Sequence, residues 1–292
     1  MNQPLLTFGI PAYSRPWLLR EALASIAAQT APIDYEVVVS DDSCLAEARL
    51  AAEQFPGGRC RYFANRPSLG AVSNWNRCLE LARGDWVTIL HEDDTLFPWY
   101  LDSVLPRLRD ALAGVCTQTV QGPTPPALPT PRGKPSVLAY APRYFIKSSM
   151  SPFPGVIVRR ELALRLGGFS EAWGPLADYE FWYRLACAGS VEVVRTRAAF
   201  YRVAPGQWTD QNWPRMLRET HLLRLRIARE RFAGAPRLGR WLARFFTCRN
   251  ARSYAGRFAE RPAALQRALK LGRIPFASIP SGWVWQLLKV CG

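Results

Sequence analysis

The stretch "WVTILHEDDTLFPWYL" (residues 86–101) runs through five residues that read as buried strand, Trp86 to Leu90, and then stops at His91-Glu92-Asp93-Asp94. Three consecutive acids are costly inside a core and easy to place where a strand leaves a sheet. A strand that ends this way brings carboxylates to a sheet edge, where a cation is their natural partner. The fold follows from asking which other segments share that edge.

Short β-rich runs recur upstream: "LLTFGI" at 5–10, "YEVVVS" at 35–40 and "CRYFAN" at 60–65. Between the first two, Leu18, Leu19, Ala22, Leu23 and Ile26 keep helical spacing. Before Trp86, Val72, Trp75, Leu79 and Ala82 do the same and Gly84 closes the helix. Strand–helix–strand alternation predicts a mainly parallel sheet covered by helices on both faces, with ligands outside the carboxyl ends of the strands. Pro11-Ala12-Tyr13, Asp41-Asp42 and Glu92-Asp93-Asp94 then lie on one edge.

After Leu101 the pattern loosens. Residues 121–135 hold six prolines in fifteen and read as a loop. "FPGVIVRREL" reads as a strand entering a helix, 178–189 as a helix, and "VEVVRTRAAFYRV" as a strand. Beyond Pro214, Leu, Ala and Arg recur at helical spacing, interrupted at Pro236, Pro262, Pro275 and Pro280.

The charge divides the chain at about the same place. Of the net +15, residues 205–292 carry 17 Lys and Arg against 4 Asp and Glu, while residues 1–204 carry 21 against 19. The expectation is a near-neutral domain over 1–210 and a basic helical region over 211–292. At 49% hydrophobic and 21% charged residues, the chain builds a core and is not a disordered polymer. No basic-then-apolar leader opens the sequence and no apolar run reaches membrane-spanning length, which points to the cytosol. Seven scattered cysteines without a C-x-x-C pair fit reduced thiols, and two histidines are too few for a His-rich zinc site.

Four segments, in order, resemble the family 2 glycosyltransferases. "LTFGIPAYSRPWLLREALASI" is similar to their opening strand and Pro-x-Tyr-Asn-Arg motif, with Ser14 in place of Asn. "EVVVSDDSC" is similar to their second strand. "NRPSLGAVSNWNRCLELARGDWVTILHEDDTLFP" is similar to the approach to their Asp-x-Asp motif. "LGGFSEAWGPLADYEFWYRLACAG" followed by "FYRVAPGQWT" is similar to their Gly-Gly-Phe, acidic-helix and Tyr-Arg-x-His segments. The resemblance covers residues 5 to about 210.

It implies a Rossmann-like GT-A fold and an inverting, metal-dependent transfer of a sugar from a nucleotide-diphosphate donor, UDP- or dTDP-linked, to a glycan or lipid-linked acceptor in bacterial surface polysaccharide synthesis. Asp93 is then the ligand of Mg²⁺ or Mn²⁺, hard ions that take carboxylate oxygen, and Asp94 either shares the metal or caps the next segment. Pro11, Tyr13, Arg15, Asp41, Asn74, Arg77 and His91 are the donor-binding candidates, Asp41 reading the base and Asn74 and Arg77 approaching the diphosphate. Asp42 reads as a turn residue on backbone amides. Asp178 is the candidate base, although an Asp at a helix start is by itself an N-cap. Glu180 is its rival, or else pairs with Arg184 one turn on. The chain departs from the family pattern at His91 for the first Asp, Ala177 for Glu and Ala204 for His.

In the basic region, Arg is interleaved with Trp241, Leu242, Phe245 and Phe246, and Trp283, Val284, Trp285, Leu287 and Leu288 follow. That mixture suits either an anionic membrane surface, giving a peripheral position at the inner face of the cell membrane, or a helical appendage that packs its Leu and Phe face on the catalytic domain with Arg outward. No zinc-finger or RNP motif points to nucleic acid. Two other classes compete. One is a nucleotidyltransferase that makes nucleotide sugars, which would need a Gly-rich phosphate loop absent from "FGIPAYSRP". The other is an inactive, membrane- or RNA-binding relative, suggested by the three departures.

Overall fold

The structure, a computed structural model, describes residues 4–127, 131, 135–204 and 207–257. The four sequence-read strands are β1 (Leu6–Ala12), β2 (Tyr35–Asp41), β3 (Cys60–Ala64) and β4 (Trp86–Ile89). The helices between them are α1 (Pro16–Ala27), α2 (Ala46–Glu53) and α3 (Ala71–Leu81). Beyond them come β5 (Thr95–Leu96), α4 (Tyr100–Val104), β6 (Leu112–Gly122), β7 (Val137–Ala139), β8 (Val156–Arg159), α5 (Arg160–Arg165), α6 (Ala177–Ala188) and β9 (Ser190–Arg202). Two long helices follow, α7 (Trp208–Arg231) and α8 (Pro236–Arg257).

The strands form one sheet in the order β3-β2-β1-β4-β8-β6-β9-β5, with β7 on β9. The longer registers, β1 on β2 and β4, β2 on β3 and β6 on β9, are parallel. The antiparallel pairings span only two or three residue pairs each. The sheet is therefore mainly parallel, as the alternation predicts. Five elements lie outside the sequence reading: α2, β5, α4 and β7 are short, and β6 falls in the region where the hydrophobic pattern loosens.

Period-two alternation decides which face of β1 meets which helix. Leu6, Phe8 and Ile10 are fully buried and share a core with Leu19, Leu23 and Ile26 of α1, Ala48 and Ala51 of α2, and Val37 and Val39 of β2. On the other face a Cβ at Gly9 would sit 2.8 Å from Cys78 Cβ of α3, so the close approach of that helix requires glycine.

The register carries the strand ends to one edge. Ala12 pairs with Asp41, Gly9 pairs with Ile89, and the Leu90 amide continues the ladder by donating to the Gly9 carbonyl at 2.9 Å. The residues that follow, Tyr13, Asp42 and His91, emerge together.

The chain divides into two compact units. One comprises residues up to Tyr140 together with Met150–Pro205; the other comprises Ala141–Ser149 with the C-terminal helical region. Within the second unit Leu217, Leu223 and Ile227 of α7 and Leu242, Phe245 and Phe246 of α8 are buried. Arg224 of α7, 1% exposed, donates to the Ile146 carbonyl (3.0 Å), the Lys147 carbonyl (2.9 Å) and Thr247 Oγ1 (3.3 Å). Pro236 opens α8, as a proline at a first helical turn should, whereas Pro214 lies inside α7. Pro262, Pro275, Pro280 and the Trp283–Leu288 cluster lie outside the described residues. The six described cysteines, Cys44, Cys60, Cys78, Cys116, Cys187 and Cys248, form no disulfide among the described residues. Among the described residues no helix is long and apolar enough to cross a membrane.

The fit at Gly9 is testable. Gly9→Ala is expected to lower stability by about 1–3 kcal/mol through overpacking against Cys78, measured as a reduced urea midpoint with an unchanged m-value.

Candidate active site

The exits of β1 and β4 are joined by Arg15 and Glu92. Glu92, 3% exposed, accepts from the Tyr13 amide at 3.0 Å and from Arg15 Nε at 3.0 Å. Arg15 also donates through Nη1 to Asp93 Oδ2 at 2.7 Å. Burial works against the Arg15 charge, but Asp93 and Glu92 outweigh it and raise the guanidinium further above its ordinary value. Sequence reasoning placed Arg15 at the donor site and left Glu92 without a role; its signal was its place between two assigned residues.

Asp94 is completely buried. Its Oδ1 accepts from the Arg202 amide at 2.9 Å, while Oδ2 is buried without a hydrogen-bond partner. Burial first, and the neighbouring Asp93 charge second, push its carboxyl well above the usual carboxylate range. Arg202, near the end of β9, donates from Nε to the Asp93 carbonyl (2.9 Å) and from Nη1 to the Pro123 carbonyl (3.0 Å), and pairs with Glu21 of α1. It is the arginine of the Tyr-Arg motif, a supporting residue that sequence reasoning did not assign.

His91 stands between aromatic faces. Its ring is stacked on Trp75 (centroids 5.4 Å apart, 23° between planes) and lies 4.4 Å from Phe153. Nε2 is buried without a partner. Burial lowers the imidazole to about 4, so it is neutral at pH 7, the form that offers a lone pair to a metal. One ring nitrogen of His91 and one carboxylate oxygen each of Asp93 and Asp94 lie within 4.8 Å of one another. A nitrogen and two carboxylate oxygens, in residues that include two unpartnered buried atoms, fit a divalent cation, which would answer both the desolvation of Asp94 and its repulsion from Asp93.

Asp178 lies in the first turn of α6. The N-cap is Leu176, so Asp178 is not the cap; its Oδ1 accepts from the Tyr179 amide at 2.6 Å. Burial pushes its carboxyl up to about 6, with backbone hydrogen bonds pulling the other way. One turn on, on the same helical face, Trp182 packs edge-on against Phe153 at 5.7 Å, and Phe153 in turn touches His91. The aromatic series connects α6 to the β4 exit. Glu180 is 2% exposed and gives both oxygens to Arg184 Nε at 2.9 and 2.8 Å. Arg184 extends to the carbonyls of Leu166 and Gly168, so this pair fastens the Gly-Gly turn to α6.

The remaining candidates stand behind or beside this cluster. Asp41 is completely buried; Oδ1 accepts from the Ser43 amide (2.8 Å) and hydroxyl (2.6 Å), and Oδ2 from Tyr62 Oη (2.7 Å). Asp42 accepts from the backbone amides of Leu69 (3.1 Å) and Gly70 (2.8 Å) and from Asn65 and Ser68. It holds the entry to α3, where Gly70 takes φ +84°. Asn74 is buried, donating to the Ala12 carbonyl at 3.2 Å and accepting from Asn65 at 3.2 Å, so its amide braces the β1 exit. Arg77 pairs with Glu80 at 3.1 Å and lines a separate groove of about 570 Å³ with Arg66 and Pro67. Tyr13 is 62% exposed beside the half-buried Pro11.

A mixed α/β sheet with metal-fitting acids at the exit of β4 is the arrangement of a GT-A glycosyltransferase. The chain matches the family described as Glycosyl transferase family 2 over residues 7–164, more than half its length, and belongs to that family. It is 31% identical over 206 residues to an uncharacterized protein of Mycobacterium tuberculosis, covering 65% of this chain and 64% of that protein. It thus spans just under two thirds of that relative. It is 31% identical over 115 residues to the GalNAc(5)-diNAcBac-PP-undecaprenol beta-1,3-glucosyltransferase of Campylobacter jejuni, covering 38% of this chain and 37% of that one. The fold is similar to that of a mannosyltransferase from Pyrobaculum calidifontis in complex with GDP-Man and Mn²⁺, with a TM-score of 0.57 and 18% identity, covering 100% of this chain and 85% of that one.

The Glu92 bridge has a direct test. Glu92→Leu leaves the Tyr13 amide and Arg15 without their acceptor and is expected to lower unfolding free energy by about 2–3 kcal/mol. Glu92→Gln, which keeps acceptor oxygen, should lose less in the same urea titration.

Proposed function

We propose that the chain is an inverting glycosyltransferase that moves a sugar from a nucleoside-diphosphate donor to a hydroxyl of a glycan or lipid-linked acceptor, as in bacterial surface polysaccharide synthesis. The observation that carries this reading is the convergence at the β4 exit of Asp93, Asp94 and His91, with two buried polar atoms left unpartnered. Mg²⁺ or Mn²⁺ held by Asp93 and Asp94 would offset the charge that develops on the departing diphosphate. Tyr13 and Pro11 wall the donor side, and Arg15 holds Glu92 and Asp93 in place while a third of its side chain faces solvent. Asp41 reads the base by exchanging its Tyr62 hydroxyl for a base N–H.

Asp178 is the general base. Its carboxylate takes the acceptor hydroxyl proton as that oxygen bonds to the anomeric carbon and the carbon–oxygen bond to the diphosphate breaks. A carboxyl near 6 is a stronger base than an ordinary Asp and remains ionised at neutral pH.

A thermal-shift panel of UDP, dTDP, GDP, CDP and CMP, each with and without Mn²⁺, tests the donor side. One diphosphate at about 100 times its Kd should add roughly 2.7 kcal/mol of stability, and only with metal. No shift with any nucleotide would favour the inactive, binding-only relative. Asp178→Asn is expected to abolish transfer yet keep nucleotide binding; lost binding would place the residue on the donor side.

The pH dependence has a fixed sign. Log kcat/KM should rise by about one per pH unit below 6 and level above it, because only the carboxylate accepts the proton. A folded-state pKa raised above the unfolded value gives stability that is greatest below about 4 and is lost as pH rises through about 6. Asp178→Asn should therefore raise Tm at pH 8 relative to wild type more than at pH 4.

The second unit supports a membrane-surface position at the inner face of the cell membrane. α8 contains no acidic residue, and its exposed positions include Arg237, Arg240, Arg244, Arg249 and Arg252. Each basic side chain at an anionic leaflet contributes about 1 kcal/mol. Arg240→Glu with Arg244→Glu is expected to weaken sedimentation with phosphatidylglycerol vesicles at least tenfold. Unchanged sedimentation would refute the membrane role of this face.

A further inference from the structure

We propose that His91 is itself a metal ligand, and that its nitrogen strengthens the site's hold on a first-row transition ion such as Mn²⁺ or Co²⁺ relative to Mg²⁺. The inference rests on the reading of Asp93 and Asp94 as metal ligands and goes beyond it by adding a third ligand and a selectivity.

The geometry points to His91 in three ways. A ring nitrogen lies within 4.8 Å of a carboxylate oxygen of both acids. Nε2 of His91 and Oδ2 of Asp94 are both buried and both lack a hydrogen-bond partner. Buried polar atoms are nearly always satisfied, and one bound cation would satisfy both of these. A divalent cation accepts lone pairs from nitrogen and oxygen alike, which fits this pair of donors.

The third indication is orientation. Stacking on Trp75 and contact with Phe153 pin the imidazole plane, while Arg15 on Asp93 and the Arg202 amide on Asp94 orient the two carboxylates. Ligands held by their surroundings in this way are characteristic of built metal sites. The same aromatic walls suit a neutral ring.

Selectivity follows from the ligand types. Oxygen-only sites suit Mg²⁺ and Mn²⁺ alike, whereas an imidazole nitrogen is a donor that transition ions bind more readily than Mg²⁺ does. Replacing one carboxylate by imidazole also removes a negative charge, which weakens purely electrostatic holding of a hard ion.

The test uses the full chain titrated with MnCl₂ or MgCl₂, alone and with UDP or GDP, and followed by calorimetry. Pulsed electron paramagnetic resonance of the Mn²⁺ form reads out nitrogen directly. The expected result is at least tenfold tighter binding of Mn²⁺ than Mg²⁺, with a ¹⁴N coupling in the wild-type spectrum. His91→Phe, which keeps a stacking ring, should abolish the coupling and bring Mn²⁺ affinity down to that of Mg²⁺. His91→Asp should invert or erase the preference. Mn²⁺ bound without nitrogen coupling, or an Mn²⁺-to-Mg²⁺ ratio unchanged in His91→Phe, overturns the role of His91 and leaves the acidic site standing. If wild type binds neither ion, or Asp93→Asn binds both as well as wild type does, the metal reading of the acids falls and this inference falls with it.

Discussion

Three consecutive acids at 3%, 8% and 0% exposure are the constraint on which this structure turns. Carboxylates so deeply withdrawn from water must be matched by cations or donors, and the chain supplies these from distant segments. Arg15 comes from the start of the sheet and Arg202 from its last strand. Their hydrogen bonds tie the exits of β1, β4 and β9 into one rim. The aromatic group of Trp75, Phe153, Phe169 and Trp182 fills the space beside the rim. The placement of α3 and α6 follows from that packing.

The local parts of this arrangement were legible in the sequence because they depend on periodicity. Alternation gave β1, β2 and β4, helical spacing gave α1, α3 and α6, and the register then set the edge on which the acids emerge. What sequence could not show were partners separated by long stretches of chain. Asp42 reads locally as a turn acid, yet its acceptors serve the amides of Leu69 and Gly70. Asn74 reads as a helix residue facing a diphosphate, yet its amide braces the β1 exit. Arg202 was invisible because its role is defined by the Asp94 carboxylate and the Asp93 carbonyl, more than a hundred residues upstream. β6 escaped notice because its last five residues include exposed and half-buried positions, which blur the alternation.

The departures from the family pattern fall differently on the structure. His91 is accommodated: a neutral imidazole stacks on Trp75 and packs against Phe153. Ala177, fully buried at the start of α6, removes an acid next to Asp178. The Asp178 carboxyl is then governed by burial rather than by a like charge beside it, and burial alone accounts for the direction of its shift.

Arg224 and the carbonyls of Ile146 and Lys147 carry a consequence for how this chain could change over time. The second unit is not a bead at the end of a string. It is completed by a strap, Ala141–Ser149, inserted between the two parts of the first unit. A single crossover that exchanged the C-terminal helices for those of another gene would leave that strap without its arginine and the incoming helices without their strap. Residues 141–149 and α7 are therefore one structural piece, although most of the first unit's sequence lies before the strap and the helices lie after it.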